Sequence, residues 1–340
     1  MHAWGVRRVA PAALAALALA ALAAGPARAD APGAAAPAPA SAPASASAPA
    51  SAPASVPAPA PAAPRTRLFV ELFYLMSLFP EGLVAEGTLH LHHQLYHSDS
   101  FVFSDNFVGA GVISSVTPAF TQDGAILLFA PTSFLGFQLG YELVTYFGTF
   151  NSMLTLDDCE PPLLPADRDT RCVSEADSFG PHVPNAHADW GHRSWLQISA
   201  RGKLWRLIAL DDFSIDHWWF RSGWAGGSDR WWMNEQIGLV MERVDWSITN
   251  SAALLFEVVP ERPGKPSFLV GAEDRVARAF ATRYYTNRTG LTAMVRVPAW
   301  GPLRDLWAAL SVSTWTHERN RVGFIPYLAI SLGANTRSLL

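Results

Sequence analysis

Cysteine is nearly absent from this chain. Only Cys159 and Cys172 occur in 340 residues, with no CxxC spacing. That excludes a cysteine-dense scaffold and a Cys-based zinc or redox centre. Charge is scarce too: Asp, Glu, Lys and Arg make up 16% of the residues, against roughly a quarter in ordinary soluble domains. The balance is acidic, at −4 overall, and the first 29 residues hold Arg7, Arg8 and Arg28 but no acid, so the remainder stands at −7. A nucleic-acid binder would present a basic face, and this composition excludes one. Beyond residue 29 no apolar run is long enough for a membrane-spanning helix. There is no glycine-rich phosphate loop, no GxSxG elbow and no HExxH helix, so no motif implies a cofactor.

Yet half of the residues are hydrophobic and 13 are tryptophan. Apolar surface in that amount, with no apolar helix to carry it, has to be carried by strands. Trp also favours the boundary between membrane and water.

The N-terminus reads as an address rather than a fold. Arg7 and Arg8 precede an Ala- and Leu-rich run, and Ala27, Arg28 and Ala29 provide a small-x-small exit. This pattern predicts a signal peptide over 1–29, cleaved after Ala29. Residues 30–64 are almost entirely Ala, Pro and Ser, which cannot bury enough apolar surface to offset the entropy of ordering. They predict a disordered linker, at most a spacer that touches the cell wall. In an exported chain, Cys159 and Cys172 are expected to form a disulfide within one polar loop.

From residue 65 to the end, strand-like alternation recurs. It is clearest over 135–148, where Leu135, Phe137, Leu139, Tyr141, Leu143 and Phe147 alternate with Gly136, Gln138, Gly140, Glu142, Val144, Tyr146 and Gly148. Successive strand side chains point to opposite faces, so this ribbon has one greasy side and one small or polar side. Further candidates lie at 67–77, 83–95, 106–117, 125–132, 195–201, 207–220, 234–243, 248–259, 267–277, 290–298, 306–316 and 322–332. Together they predict an all-β fold, an antiparallel transmembrane β-barrel over 65–340 with about twelve strands, in a range of about ten to fourteen. Single-chain barrels take an even number, so at least one candidate falls outside the wall. The long segment 161–192 suits the outer side, and short connections at 131–133 and 298–302 suit the periplasmic side. Trp218, Trp219, Trp231 and Trp232 flank a Gly-rich tip at 221–230 and predict an aromatic girdle.

On these residues the chain resembles bacterial outer-membrane β-barrel proteins. It also resembles, loosely, an uncharacterised barrel family with phrases similar to Gly109, Ala110, Gly111, Val112, to Thr117, Pro118, Ala119, Phe120 and to Tyr146, Phe147, Gly148, Thr149, Phe150. The resemblance implies a place in the outer membrane of a Gram-negative bacterium, with membrane lipid and the barrel-assembly machinery as partners. Such barrels often end on an aromatic residue, whereas this sequence ends Ser338, Leu339, Leu340.

The candidate lumen residues are Glu86, His90, His92, Gln94, Glu142, Asp212 and Asp216. His90 and His92, two apart on one strand face, have metal-ligand spacing, but imidazoles that fill a polar interior show the same pattern. Glu142 needs an inward Arg. Asp212 and Asp216 are expected to meet Arg243, Arg275 or Arg296 across the barrel. The acids Asp157, Asp158, Glu160, Asp167, Asp169, Glu175 and Asp177 lack EF-hand spacing and predict a solvated loop. The expected function is a non-enzymatic barrel, either a narrow solute channel or a structural surface protein. The alternatives are a barrel-embedded lipid-modifying hydrolase, using a Ser and His on adjacent lipid-facing strands, and a soluble exported β-rich protein.

Overall fold

The computed structural model describes residues 65–78, 82–98, 100, 102–147, 155–156, 188–221, 231–234, 236–262, 264–297, 303–317 and 326–336. The expected signal and linker, Cys159, Cys172 and the acids at 157–177 lie outside the described residues.

Twelve strands close into one antiparallel barrel. They are β1 (Thr66–Leu78), β2 (Gly82–Gln94), β3 (Phe107–Val116), β4 (Phe120–Thr132), β5 (Leu135–Phe147), β7 (Ala188–Leu204) and β8 (Leu207–Phe220). The wall continues through β11 (Val244–Val259), β12 (Ser267–Ala279), β13 (Tyr285–Val297), β14 (Leu303–His317) and β15 (Pro326–Thr336). Each pairs with its predecessor in the wall, and β15 returns to β1 with Asn335 opposite Glu71 and Leu328 opposite Leu78. Closure satisfies the backbone donors and acceptors that an open sheet would leave along its two edges. Three short strands, β6 (Thr155–Leu156), β9 (Trp231–Asn234) and β10 (Leu239–Glu242), form a separate sheet.

The alternation in the sequence sets which face looks out. On β5, Leu139, Tyr141 and Leu143 are 52%, 54% and 43% exposed, while Gly140, Glu142 and Val144 are buried. Leu127, Val112, Leu254 and Leu291 are likewise exposed on the outer face. A water-soluble protein would turn these side chains inward; here the wall is inverted, with apolar groups out.

Several strands run past their predicted ends. β4 starts at Phe120, β7 at Ala188 and β13 at Tyr285. In these extensions the outward positions carry Thr121, Asp123, Trp190, His192, Asn287 and Thr289 rather than aliphatics, so the apolar alternation fades before the strand does.

The candidate strand 234–243 is not part of the wall. Its core, Leu239, Val240 and Met241, is buried on both sides and lies in the short sheet as β10. That sheet is an inset within one mouth of the barrel. Trp232, Leu239 and Met241 pack against the inward side chains Tyr146 of β5, Trp218 and Phe220 of β8, and Ala277 and Ala279 of β12. Thr282 donates from Oγ1 to the carbonyl of Val240 at 2.7 Å, and Trp232 Nε1 to that of Glu242 at 3.0 Å. Gly238, at φ +70°, lies so near Trp315 of β14 that an added Cβ would come within 3.2 Å of its ring. β5 and β14 stand halfway round the barrel from one another, so the inset reaches from wall to opposite wall.

The expected tryptophan girdle is therefore corrected. Trp218 and Trp232 point inward and are fully buried, because they close over the inset. Outward aromatics near that mouth include Trp190, Trp219, Trp246 and Tyr141, with His192 stacked on Trp219 at 5.2 Å and its Nδ1 2.7 Å from the Tyr141 hydroxyl.

Candidate functional site

The inward face is layered, with apolar clusters between charged ones. Ile126, Leu128 and Trp195 form one cluster, and Ile208, Leu255 and Leu269 another. On the small inward face of β5, Gly140 leaves room for a neighbour, since a Cβ there would fall 2.2 Å from Trp195 Cε2. Gly333 gives way to Trp307 in the same manner at 2.3 Å. Gly136 has nothing within 4 Å of that position, so it makes no room for a neighbour, and Gly148 lies outside the described residues.

The cation that Glu142 requires is Arg193. Register places the two opposite one another on β5 and β7, and Arg193 Nη1 donates to Glu142 Oε2 at 3.1 Å. Its Nε and Nη2 form a fork on Asp216 Oδ1 at 2.8 and 2.6 Å, and Ser214 donates to the other Asp216 oxygen at 2.9 Å. Trp195 and Trp218 flank the guanidinium at 5.5 and 5.1 Å. Glu142 and Asp216 are 2% and 1% exposed, and a buried carboxylate is tolerated only when paired and hydrogen-bonded in this way.

This corrects the partners expected for the β8 acids. Asp216 takes Arg193 from the adjacent strand, and Asp212 accepts from Ser199 Oγ at 2.5 Å and Gln197 Nε2 at 3.3 Å. Arg243 lies exposed in the turn after β10, and Arg296 sits opposite Ser267 and Trp307.

The remaining predicted residues line another arc. Glu86 accepts from Ser115 Oγ at 2.8 Å. His90 Nε2 lies 3.7 Å from Glu71 Oε1, and His92 is stacked on Phe107 at 3.7 Å and sits 5.0 Å from Phe69. Gln94 ends β2, where its backbone N–H donates to the Arg65 carbonyl. Among the described residues no three His, Cys, Asp or Glu side chains converge as a metal site. Toward the other mouth Lys203 pairs with Glu257 at 2.7 Å.

Some inward groups were not singled out from the sequence. Arg288 stands opposite Arg275 on β13, and Gln236 lies in the inset turn. Asp245 accepts from the backbone N–H groups of Glu242, Trp246 and Ala281, fixing the inset's exit into β11. Parity with Gln197 and Trp195 would have placed Arg193 inward had the strand been extended toward Ala188.

Two outward histidines have neighbours of their own: His93 Nδ1 lies 3.0 Å from Thr66 Oγ1, and His217 packs on Trp246 at 4.7 Å. Ser194 faces His217 across β7 and β8. Among the described residues no carboxylate bonds that imidazole, and the outward acid of β8, Asp211, accepts instead from Asn250 Nδ2 at 2.9 Å. A nucleophile, base and orienting acid are therefore not assembled there.

No protein-family model and no curated protein sequence matches the chain. Among solved structures it is similar to the beta domain of the Bordetella autotransporter Brka, at 12% identity and TM-score 0.41, over 82% of this chain and 100% of that one. It is similar to LpxR from Salmonella typhimurium at 9% and 0.36, over 79% and 99%. An outer membrane channel from Pseudomonas putida F1 is similar at 12% and 0.35, over 81% and 96%. Nothing about activity passes to this chain from likeness at that level.

Proposed function

We propose that this chain is an outer-membrane barrel that acts as a narrow, partly plugged channel for small solutes and carries out no chemistry of its own. The observation that carries the reading is the inset, whose Trp232, Leu239 and Met241 are fully buried inside a mouth that they share with Tyr146, Trp218 and Phe220. A barrel of about twelve strands is wide enough that side chains alone need not fill it, and a folded-in segment narrows it further. The apolar outer face supports residence in lipid rather than free in the periplasm, because a closed sheet with exposed leucines on its outside needs an apolar solvent. In this reading the partners are outer-membrane lipid and the machinery that inserts barrels, and the Glu142–Arg193–Asp216 group is a strut of the lumen.

Planar-bilayer recording of the purified full chain tests this. Small discrete conductance steps are expected, and they should grow when residues 231–242 are replaced by a short Gly-Ser turn. Silence in both proteins would instead favour a structural surface role. Recovery of the chain in the soluble fraction without detergent would defeat both.

A further inference from the structure

Arg193 and the Arg275–Arg288 pair face the same interior but have different partners. Arg275 on β12 and Arg288 on β13 are opposite one another in register, both inward. Like charges directly opposed across strands destabilise each other, and an unpaired charge away from water costs more. Among the described residues neither guanidinium has a carboxylate within salt-bridge distance. Asp216, within electrostatic reach of Arg275, already receives the fork of Arg193 and the hydroxyl of Ser214. Glu273, two residues along β12, accepts from Ser311 and Ser313.

Three donors remain. Arg275 Nη2 bonds the Gln236 carbonyl at 3.3 Å, which brings the inset turn onto the pair. Arg275 Nε, Arg288 Nε and Gln236 Nε2 are shut off from solvent with no hydrogen-bond partner among the described residues. Arg288 lies with its guanidinium carbon 3.8 Å from the centre of the Tyr327 ring. Stacking of that kind uses the face of the guanidinium and leaves its in-plane N–H groups directed outward. The group therefore offers fixed donors, two positive charges and an aromatic wall, and among the described residues it is deficient only in negative charge.

We propose that Arg275, Arg288 and Gln236 form an anion-binding site beneath the inset, taking a small oxyanion or the carboxylate or phosphate group of a solute. An oxyanion between the two guanidiniums would neutralise their repulsion and accept the side-chain N–H of Gln236 at once. The site deepens the channel reading, which supplies the solute's route, but it is tested separately. The inset then serves as one wall of the site as well as a constriction.

Titration calorimetry of the folded full chain in detergent, with inorganic phosphate and in a second series with acetate, is the test. Saturable binding of at least one of the two is expected, weakened tenfold or more in the Arg275→Gln/Arg288→Gln variant. Arg288→Lys, which keeps the charge but not the planar fork, should weaken it less. Lys203→Gln, at the other mouth, should leave it unchanged. Heat-dependent gel mobility checks that each variant is a closed barrel. No saturable binding of either anion by the folded wild type, or equal binding by the double variant, overturns the site. A barrel that binds phosphate yet conducts nothing would overturn the channel and leave the site standing.

Discussion

Arg193 and Arg275 are guanidiniums in one lumen, on strands that belong to the same wall, but their surroundings are opposite. Arg193 meets two buried carboxylates and lies between two indoles. Arg275 meets another arginine and a backbone carbonyl. The first arrangement is self-sufficient, holding β5, β7 and β8 together and leaving nothing to offer a ligand. The second has donors to spare. A charged residue in a barrel interior thus says little about function until its neighbours across the strands are known.

The sharpest test of this contrast is to remove Arg193. Arg193→Gln leaves Glu142 and Asp216 buried without a cation, and is expected to cost about 3–5 kcal/mol in urea unfolding from lipid vesicles. Replacing all three with apolar residues (Glu142→Leu, Arg193→Met, Asp216→Leu) should recover most of that loss. If it does not, the group is more than a strut. Gly140→Leu attacks the same region sterically, since the new side chain meets Trp195, which flanks Arg193. Overpacking of this kind should cost about 1–3 kcal/mol by the same measurement. The smallest effect is expected at the other guanidinium. Arg275→Gln gives up one long hydrogen bond but relieves a like-charge pair, so stability should move by less than about 1 kcal/mol in either direction. A loss as large as that of Arg193→Gln would mean that Arg275 is structural, and the contrast would fail.

Much of the wall is legible in the sequence. The two faces of Leu135–Phe147, the inward glutamate that demands an arginine and the glycine that makes room for an indole all follow from period-two alternation and the cost of a buried charge. Which arginine answers Glu142 does not follow, because cross-strand register depends on where each turn falls, and β7 begins among residues whose outward positions are not aliphatic. The inset is illegible for another reason. Leu239, Val240 and Met241 are buried on every side, so their strand carries no alternation to mark one face from the other. Trp218 misleads in the same way, since a tryptophan beside a Gly-rich turn looks alike in sequence whether it anchors at a membrane surface or closes over a plug.

The seam between β1 and β15 has a consequence for how the molecule comes into being. The backbone N–H of Val70 donates to Thr336 Oγ1 across 266 residues of chain, and the other ten wall strands lie between them. Contacts of such separation are the slowest to form, because the loop entropy has to be lost before any of it is returned. Until that seam joins, the first and last strands each expose a row of unpaired amides and carbonyls, and lipid offers them no water. A nascent wall of eleven strands is therefore not a slightly weaker barrel but a sheet with two open edges. The wall has no open edge only once Pro326–Thr336 has joined β1.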